Sequence, residues 1–488
     1  MRRAIGVACV LLAGSLMLPA AALSPPPPPP PPPVVVALID SGINPYSPAF
    51  RDRSFEASRH PSIYIPGYPK DAKKLKLSLN TRTLEEALAK DAALWERVRP
   101  GQLYWIPGTN IIGAISLSAG GRRCPARRGG VSVRVPPPAG TFTNSSPECP
   151  ERIILDDHGH GTSTASRATG VGTSLAPGAR LVAIEGLGTG SSQWAADQRW
   201  IDVQSNSWGF LTGLEPGAMR AFTDMAQRQL VVTASGNGLA FSGFGPEPTY
   251  LHALSAPGVV VAGGHDNGHV TAWSGAPAQV VADAFSPRTA LWDSLEIRPD
   301  PVACCTSTAT PYVAGAAAGI IARARSILGD DRTGIRDGVV ARGKKNRVSR
   351  GPLADGVFTL EELREVLYKT AQARPVEGKH DGWIHPSGDP AGAATGQPAM
   401  TFAQDMVLDD GPGRNPYCQG CWTLPIAWSD VPPEYPAYTQ IGYGAINEHS
   451  FRLASRVLTG KVAMPERPDE DAFFAQDEAL RELIWGSV

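Results

Sequence analysis

Three observations predict an α/β fold of three layers, a parallel sheet with helices on both faces. Short apolar, β-branched runs at 34–39, 231–234 and 259–262 show no alternation of polar and apolar residues, as expected of strands covered on both sides. Segments of helical character lie between such runs, at 163–170, 216–228 and 359–370, and strands alternating with helices build parallel sheets. The Ala- and Gly-rich run after Pro311 is too apolar for a solvent-facing helix, and its side chains are small enough for close packing, which predicts a central buried helix.

From the N-terminus, Met1-Arg2-Arg3, an apolar stretch to Leu23 and Ala20-Ala21-Ala22 read as a secretory signal peptide over 1–24, with an uncleaved anchor as the competing reading. The formal net charge is −1, and removing Arg2 and Arg3 makes it −3, so neither nucleic acid nor an anionic membrane is an expected partner. Pro25 to Pro33 form a polyproline II linker roughly 28 Å long at ~3.1 Å per residue. The first strand follows at once and ends in Asp40-Ser41-Gly42.

A single helix is predicted over 83–98, where Thr83 and Glu86 spell a capping box, Leu84, Leu88, Ala92, Trp95 and Val98 share a face, and Pro100 stops the run. Of seven cysteines, Cys9 lies in the signal segment, and the other six are expected in disulfides in an exported chain. Cys124 with Cys149 is the favoured pair; Cys418 and Cys421 are expected to pair locally or with Cys304 or Cys305. Six cysteines allow about 15 connectivities, which sequence does not choose between.

Asp157-His158-Gly159-His160-Gly161-Thr162 precedes a small-residue helical segment, and strands are predicted at 180–184 and 203–207. Residues 330–356 read as a basic, solvated loop. Thr359 and Glu362 spell a second capping box, and the tail from Pro465 to Val488 reads as helical.

The candidate chemistry begins at Ser307, placed at the mouth of the central helix, where free N–H groups and the positive dipole end suit a nucleophile whose attack creates an oxyanion. Asp40 at one strand end, His160 before a helix and Asn237 after the strand that runs into Ser235-Gly236 complete an order Asp, His, Asn, Ser. Taken singly, an Asp or Asn after a strand is a turn former, and a His before Gly-Thr is a helix-start hydrogen bonder. Four such blocks in order, each at a predicted strand end or helix start, are specific.

Together with Ser205-Asn206-Ser207-Trp208-Gly209 and Gly442-Tyr443-Gly444-Ala445-Ile446-Asn447, these blocks resemble the subtilisin-type serine peptidases, the subtilases, from residue 34 to about 450. The resemblance implies a subtilisin-like fold and a secreted endopeptidase acting on polypeptides. Asp40, His160 and Ser307 would form its triad, and Asn237 and the Ser307 backbone N–H its oxyanion site. Ser207, Trp208 and Gly209, with Ala234, Ser235 and Gly236, would bind substrate main chain and shape the specificity pocket. His158 has no family role and is read as structural or exposed.

It further implies one catalytic domain over 34–488 with insertions at about 51–150 and 375–436. The first is read either as a packing subdomain or as a lid over the cleft. With the first strand starting at residue 34, the family's usual pro-domain is not expected ahead of it. Cys305 stands where the family has Gly and Thr308 where it has Met; the segment after His160 lacks the extended loop of the tight calcium site. No cofactor is therefore expected, calcium having no recognisable site, and a monomer is expected. The alternative is a catalytically silent or highly restricted binding or processing protein built on the same fold.

Overall fold

The computed structural model describes residues 33–117, 153–208, 216–236, 258–266, 269–270, 278–284, 287–299, 306–343, 348–372 and 443–466. The signal segment, the prolines before Pro33, all the cysteines, Gly209, Asn237, the 375–436 insertion and the tail beyond Glu466 lie outside these residues.

Ten strands form the main sheet: β1 Val35–Asp40, β2 Lys73–Lys74, β3 Tyr104–Trp105, β4 Ile111–Ser116, β5 Arg180–Glu185, β6 Val203–Asn206, β7 Leu230–Ala234, β8 Val259–Asp266, β9 His269–Val270 and β10 Val280–Asp283. Their order is β10-β8-β7-β6-β1-β5-β4-β3-β2, with β9 turned back on β8. From β10 to β4 every neighbouring pair is parallel. Every residue of β1, β4, β5 and β7 is buried, which is why these strands read as unbroken apolar runs. Two small hairpins stand apart, β11 Arg288–Ala290 with β12 Ile297–Pro299, and β13 Val339–Arg342 with β14 Val357–Thr359.

The helices are α1 Leu84–Lys90, α2 Ala92–Trp95, α3 His160–Thr169, α4 Thr189–Asp197, α5 Pro216–Ala226, α6 Thr306–Leu328, α7 Leu360–Lys369 and α8 Glu448–Leu458. Helix α6 crosses one face of β8, β6, β7 and β10, and α3 packs beside it. Alternate strand residues separate the two faces. Val36, Val203 and Val232 join the core with α6, whereas Val35, Ala37 and Val231 join Ala195, Phe222 and Met225 of α4 and α5 opposite. This is the expected fold, a mostly parallel sheet between two helical layers. The small residues of α6 are used as contacts. A Cβ on Gly315 would lie 2.5 Å from the carbonyl oxygen of Ala168 in α3, and one on Gly319 would lie 2.6 Å from the Phe451 ring of α8.

The structure corrects three sequence expectations. The predicted helix over 83–98 is two short helices broken at Asp91. The Asp91 carboxylate accepts from the Tyr46 hydroxyl at 2.8 Å and from the Ser78 N–H and hydroxyl at 2.6 Å each, contacts that outweigh continued helix. The break turns Ala92 outward while Trp95 and Val98 stay buried. Thr83 does cap Glu86 N–H, but the Glu86 carboxylate turns to Arg82 N–H at 3.0 Å, so the box is half made.

Second, the stretch read as an insertion over 51–150 supplies β2, β3 and β4, and β4 is a buried parallel neighbour of β5. Leu75, Trp95, Ile106 and Ile111 from it join Leu38 and Ala165 in one core, so residues 51–117 are a packing layer of the domain. Third, the 330–356 loop contains the strand β13. The second capping box forms as read, with Thr359 and Glu362 bonded reciprocally. The 443–447 block lies along β10, with Ile446 N–H donating to Val281 carbonyl at 2.7 Å, and Asn447 caps α8.

Candidate active site

Asp40 is the last residue of β1 and His160 the first of α3, and two glycines allow them to meet. A Cβ on Gly161 would lie 2.2 Å from Gly42 carbonyl oxygen, and Gly42, at φ +126, has no room for one either, since it would fall 2.8 Å from Ile154 carbonyl oxygen. The strand end and the helix start therefore touch through bare backbone.

His160 Nδ1 and Asp40 Oδ1 are 2.7 Å apart, with Asp40 2% and His160 26% exposed. Ser41 N–H donates to Asp40 Oδ1 at 2.7 Å and the Thr164 hydroxyl to Oδ2 at 2.9 Å. Burial works against the Asp40 charge, but His160 and these donors outweigh it and hold the carboxyl below its ordinary value. Burial likewise works against the imidazolium. The Asp40 charge and hydrogen bond, helped by the charge of Asp156, overcome it and raise His160 above its ordinary value of 6.5.

Asp156 is the residue that motif reading missed. Buried one turn before α3, it accepts from Ser41 Oγ at 2.9 Å, His158 N–H at 3.1 Å, Gly159 N–H at 2.8 Å, Thr162 N–H at 2.7 Å and Thr162 Oγ at 2.6 Å. Ser41 Oγ in turn accepts from Gly161 N–H at 2.9 Å. One carboxylate thus caps the helix that carries His160 and grips the residue after Asp40. Its sequence signal was the spacing to Gly159 and Thr162, that of a carboxylate before a helix start. His158 is exposed, its ring centroid 6.2 Å from that of His160.

Ser307 is the second residue of α6 and is half-buried. Its hydroxyl lies 3.5 Å from the Ser207 carbonyl oxygen, and Ser207 Oγ donates to the Ser307 carbonyl at 2.8 Å. The end of β6 is thereby fastened to the mouth of α6. Trp208 is buried with its ring 6.1 Å from Phe222 of α5. Ala234 ends β7, Ser235 N–H donates to Ala262 carbonyl at 2.9 Å, and Gly236 takes φ +90. Asp40, His160, Ser307, Ser207, Trp208, Ala234, Ser235 and Gly236 thus sit at carboxyl ends of parallel strands or at starts of the helices packed on them. Thr308 is buried and donates to Ala284 carbonyl at 3.3 Å, so the hydroxyl that stands in for an apolar side chain has a partner.

Among the described residues no three His, Cys, Asp or Glu side chains converge to hold a metal ion. Nor is any described helix long and apolar enough to cross a membrane.

The structure pairs Asp40 with His160 at the carboxyl edge of the parallel sheet and places Ser307 at a helix mouth, where its hydroxyl meets the Ser207 carbonyl. The chain belongs to the subtilase family, whose model matches residues 33–383, and that membership supports a serine-type peptidase. The prenylagaramide maturation protease PagA is similar in structure, with 16% identity over 61% of this chain and 82% of that one and a TM-score of 0.32. A cold-adapted subtilisin-like serine proteinase is 21% identical over 34% of this chain and 63% of that one, with a TM-score of 0.29. No curated protein sequence matches the chain.

Proposed function

We propose that the protein is a secreted serine endopeptidase that hydrolyses peptide bonds through Asp40, His160 and Ser307. The observation that carries this reading is the part-buried hydrogen bond of 2.7 Å between His160 Nδ1 and Asp40, which leaves Nε2 as the basic nitrogen. The Ser307 hydroxyl is too weak an acid to attack a carbonyl unaided. His160 Nε2 takes its proton as Oγ bonds to the scissile carbon, then delivers it to the leaving amine as the C–N bond breaks. Water repeats the sequence on the acyl-enzyme: His160 takes one proton from it as the hydroxide adds to the ester carbon, then returns that proton to Ser307 Oγ as the C–Oγ bond breaks and the carboxylic acid leaves. Asp40 supports the imidazolium in both halves.

The tetrahedral oxyanion is assigned to the Ser307 N–H at the mouth of α6 and to the Asn237 side chain. Ser207 to Gly209 and Ala234 to Gly236 are assigned to substrate binding, polypeptides being the substrates and a monomer the working form. Export rests on the N-terminal signal sequence.

A silent binding protein is the second reading, favoured by the resting Ser307 hydroxyl, whose hydrogen-bond partner is the Ser207 carbonyl. A fluorophosphonate probe separates the two, since it labels only an activated serine. Labelling abolished by Ser307→Ala supports the peptidase, and an unlabelled folded parent supports the silent protein. With peptide substrate, Ser307→Ala is expected to lower turnover about 10⁶-fold, a magnitude carried over from another member of the family.

A further inference from the structure

Thr164 is buried one turn into α3, where a valine would fill the same space without bringing a polar group. Its hydroxyl oxygen lies 2.9 Å from Asp40 Oδ2, 2.9 Å from His160 carbonyl oxygen and 3.1 Å from Gly161 carbonyl oxygen. It has one proton for three acceptors. A charged carboxylate is the strongest of them, so the proton goes to Asp40 while Asp40 is ionised, and otherwise returns to the helix carbonyls.

We propose that Thr164 is a positioning residue of the reaction assigned above: its hydroxyl holds Asp40 Oδ2, so that Oδ1 stays on His160 Nδ1–H and Nε2 faces the nucleophile. The proposal rests on the peptidase reading, but the contact itself can be tested without turnover. The two oxygens of Asp40 are then divided, Oδ1 between His160 and Ser41 N–H and Oδ2 to Thr164. Rotation of the carboxylate would break both sets at once. The hydroxyl also carries part of the negative charge, and it matters most when His160 is neutral, because the imidazolium already satisfies the carboxylate when it is present. Loss of the hydroxyl therefore disfavours the neutral imidazole. Other charged or titratable groups lie on the elements around this pair: Asp156 before α3, His158 beside the ring, Glu185 at the position paired with Asp40 on β5, and exposed Arg288 on β11, a strand packed against α3. None of them changes in the variants below.

The test uses the full chain with Thr164→Val, Thr164→Ser and Thr164→Ala. Proton NMR of the Nδ1–H resonance, assigned by its loss in His160→Ala, titrates His160 whether or not the chain is active. Fluorophosphonate labelling against pH gives the same midpoint for the activated serine. Thr164→Val is expected to raise the midpoint by about half a pH unit and to slow labelling about 10-fold, the size of one lost hydrogen bond to a charged group. Thr164→Ser is expected to restore both. If Val does not fold, Ala against Ser makes the same comparison, Ala moving the midpoint and Ser not. An unchanged midpoint in the hydroxyl-free variants, or a Ser variant that behaves like Ala, overturns the proposal. If the parent is never labelled, the peptidase reading fails, and the NMR titration still decides the Thr164–Asp40 contact.

Discussion

A general base must be neutral to act, and the neighbours of His160 favour its charged form. Its folded-state pKa lies above the ordinary 6.5, so kcat/KM is expected to fall on acidification with a midpoint above that value, read from a pH–rate profile on a neutral peptide. Asp156 contributes to that rise through its charge, and it holds five donors around the start of α3. Asp156→Asn removes the charge and turns an amide donor toward groups that already donate. The midpoint should move to lower pH, opposite in sign to the Thr164→Val shift, and stability should fall by about 2–4 kcal/mol. Chemical denaturation and the pH profile separate the two effects, and an unchanged profile in a destabilised protein would leave Asp156 a cap only. The triad candidates were legible because Asp40-Ser41-Gly42, His160-Gly161-Thr162 and Thr306-Ser307-Thr308 stand in order at predicted strand ends and helix starts. Asp156 was not, since a carboxylate before a helix is an ordinary cap until its second partner, Ser41, 115 residues away, is known.

Among the elements, α6 and α3 carry Ser307 and His160, the proposed nucleophile and base, and their spacing is set where Gly315 meets Ala168. Gly315→Ala should raise helix propensity by about 1 kcal/mol, yet its Cβ would meet a backbone oxygen that cannot yield without moving α3. The expected outcome is a lower melting temperature and a loss of turnover larger than the loss of stability explains. Gly190→Ala in α4, where nothing beyond its chain neighbours and its own helix backbone lies within 4 Å of the added methyl, is the control and should be neutral or slightly stabilising. A Gly315→Ala protein that melts higher would show the helix contact to be slack. The buried helix and strands β1, β5, β7 and β8 could be read from sequence because burial on both sides leaves a largely apolar run, whereas β6, Val203-Gln204-Ser205-Asn206, is buried but polar. β4 carries the same signal in Ile111 to Ile115, but the strands beyond it, β3 and β2, are two residues each, and it reads as part of an insertion. Asp91 breaks the helix for the sake of Tyr46 and Ser78, distant partners that periodicity cannot reveal.

At the scale of the molecule, the sheet is pinned at both ends of β1. The carboxyl end holds Asp40, Ser41 and Asp156. At the other end Asp202, fully buried, accepts Val35 N–H at 2.9 Å through one oxygen and Arg325 Nη2 at 2.7 Å through the other. Arg325 comes from the last turns of α6 and also donates to the Val340 and Gly334 carbonyls, at 3.1 and 3.3 Å. The pair joins the strand that carries Asp40 to the helix that carries Ser307, far along both from the chemistry. Its Coulomb attraction must offset the desolvation of two ions, and Arg325 Nη1 finds no partner among the described residues, so the pair is not a large net source of stability. Breaking it is another matter. Arg325→Met or Asp202→Leu alone leaves one buried charge and should cost about 3–5 kcal/mol, whereas the double replacement should cost less than either single one. Urea unfolding of the three variants checks the order. If the double variant loses the sum of the singles, the two residues act independently, and the amino end of the sheet is held by packing instead.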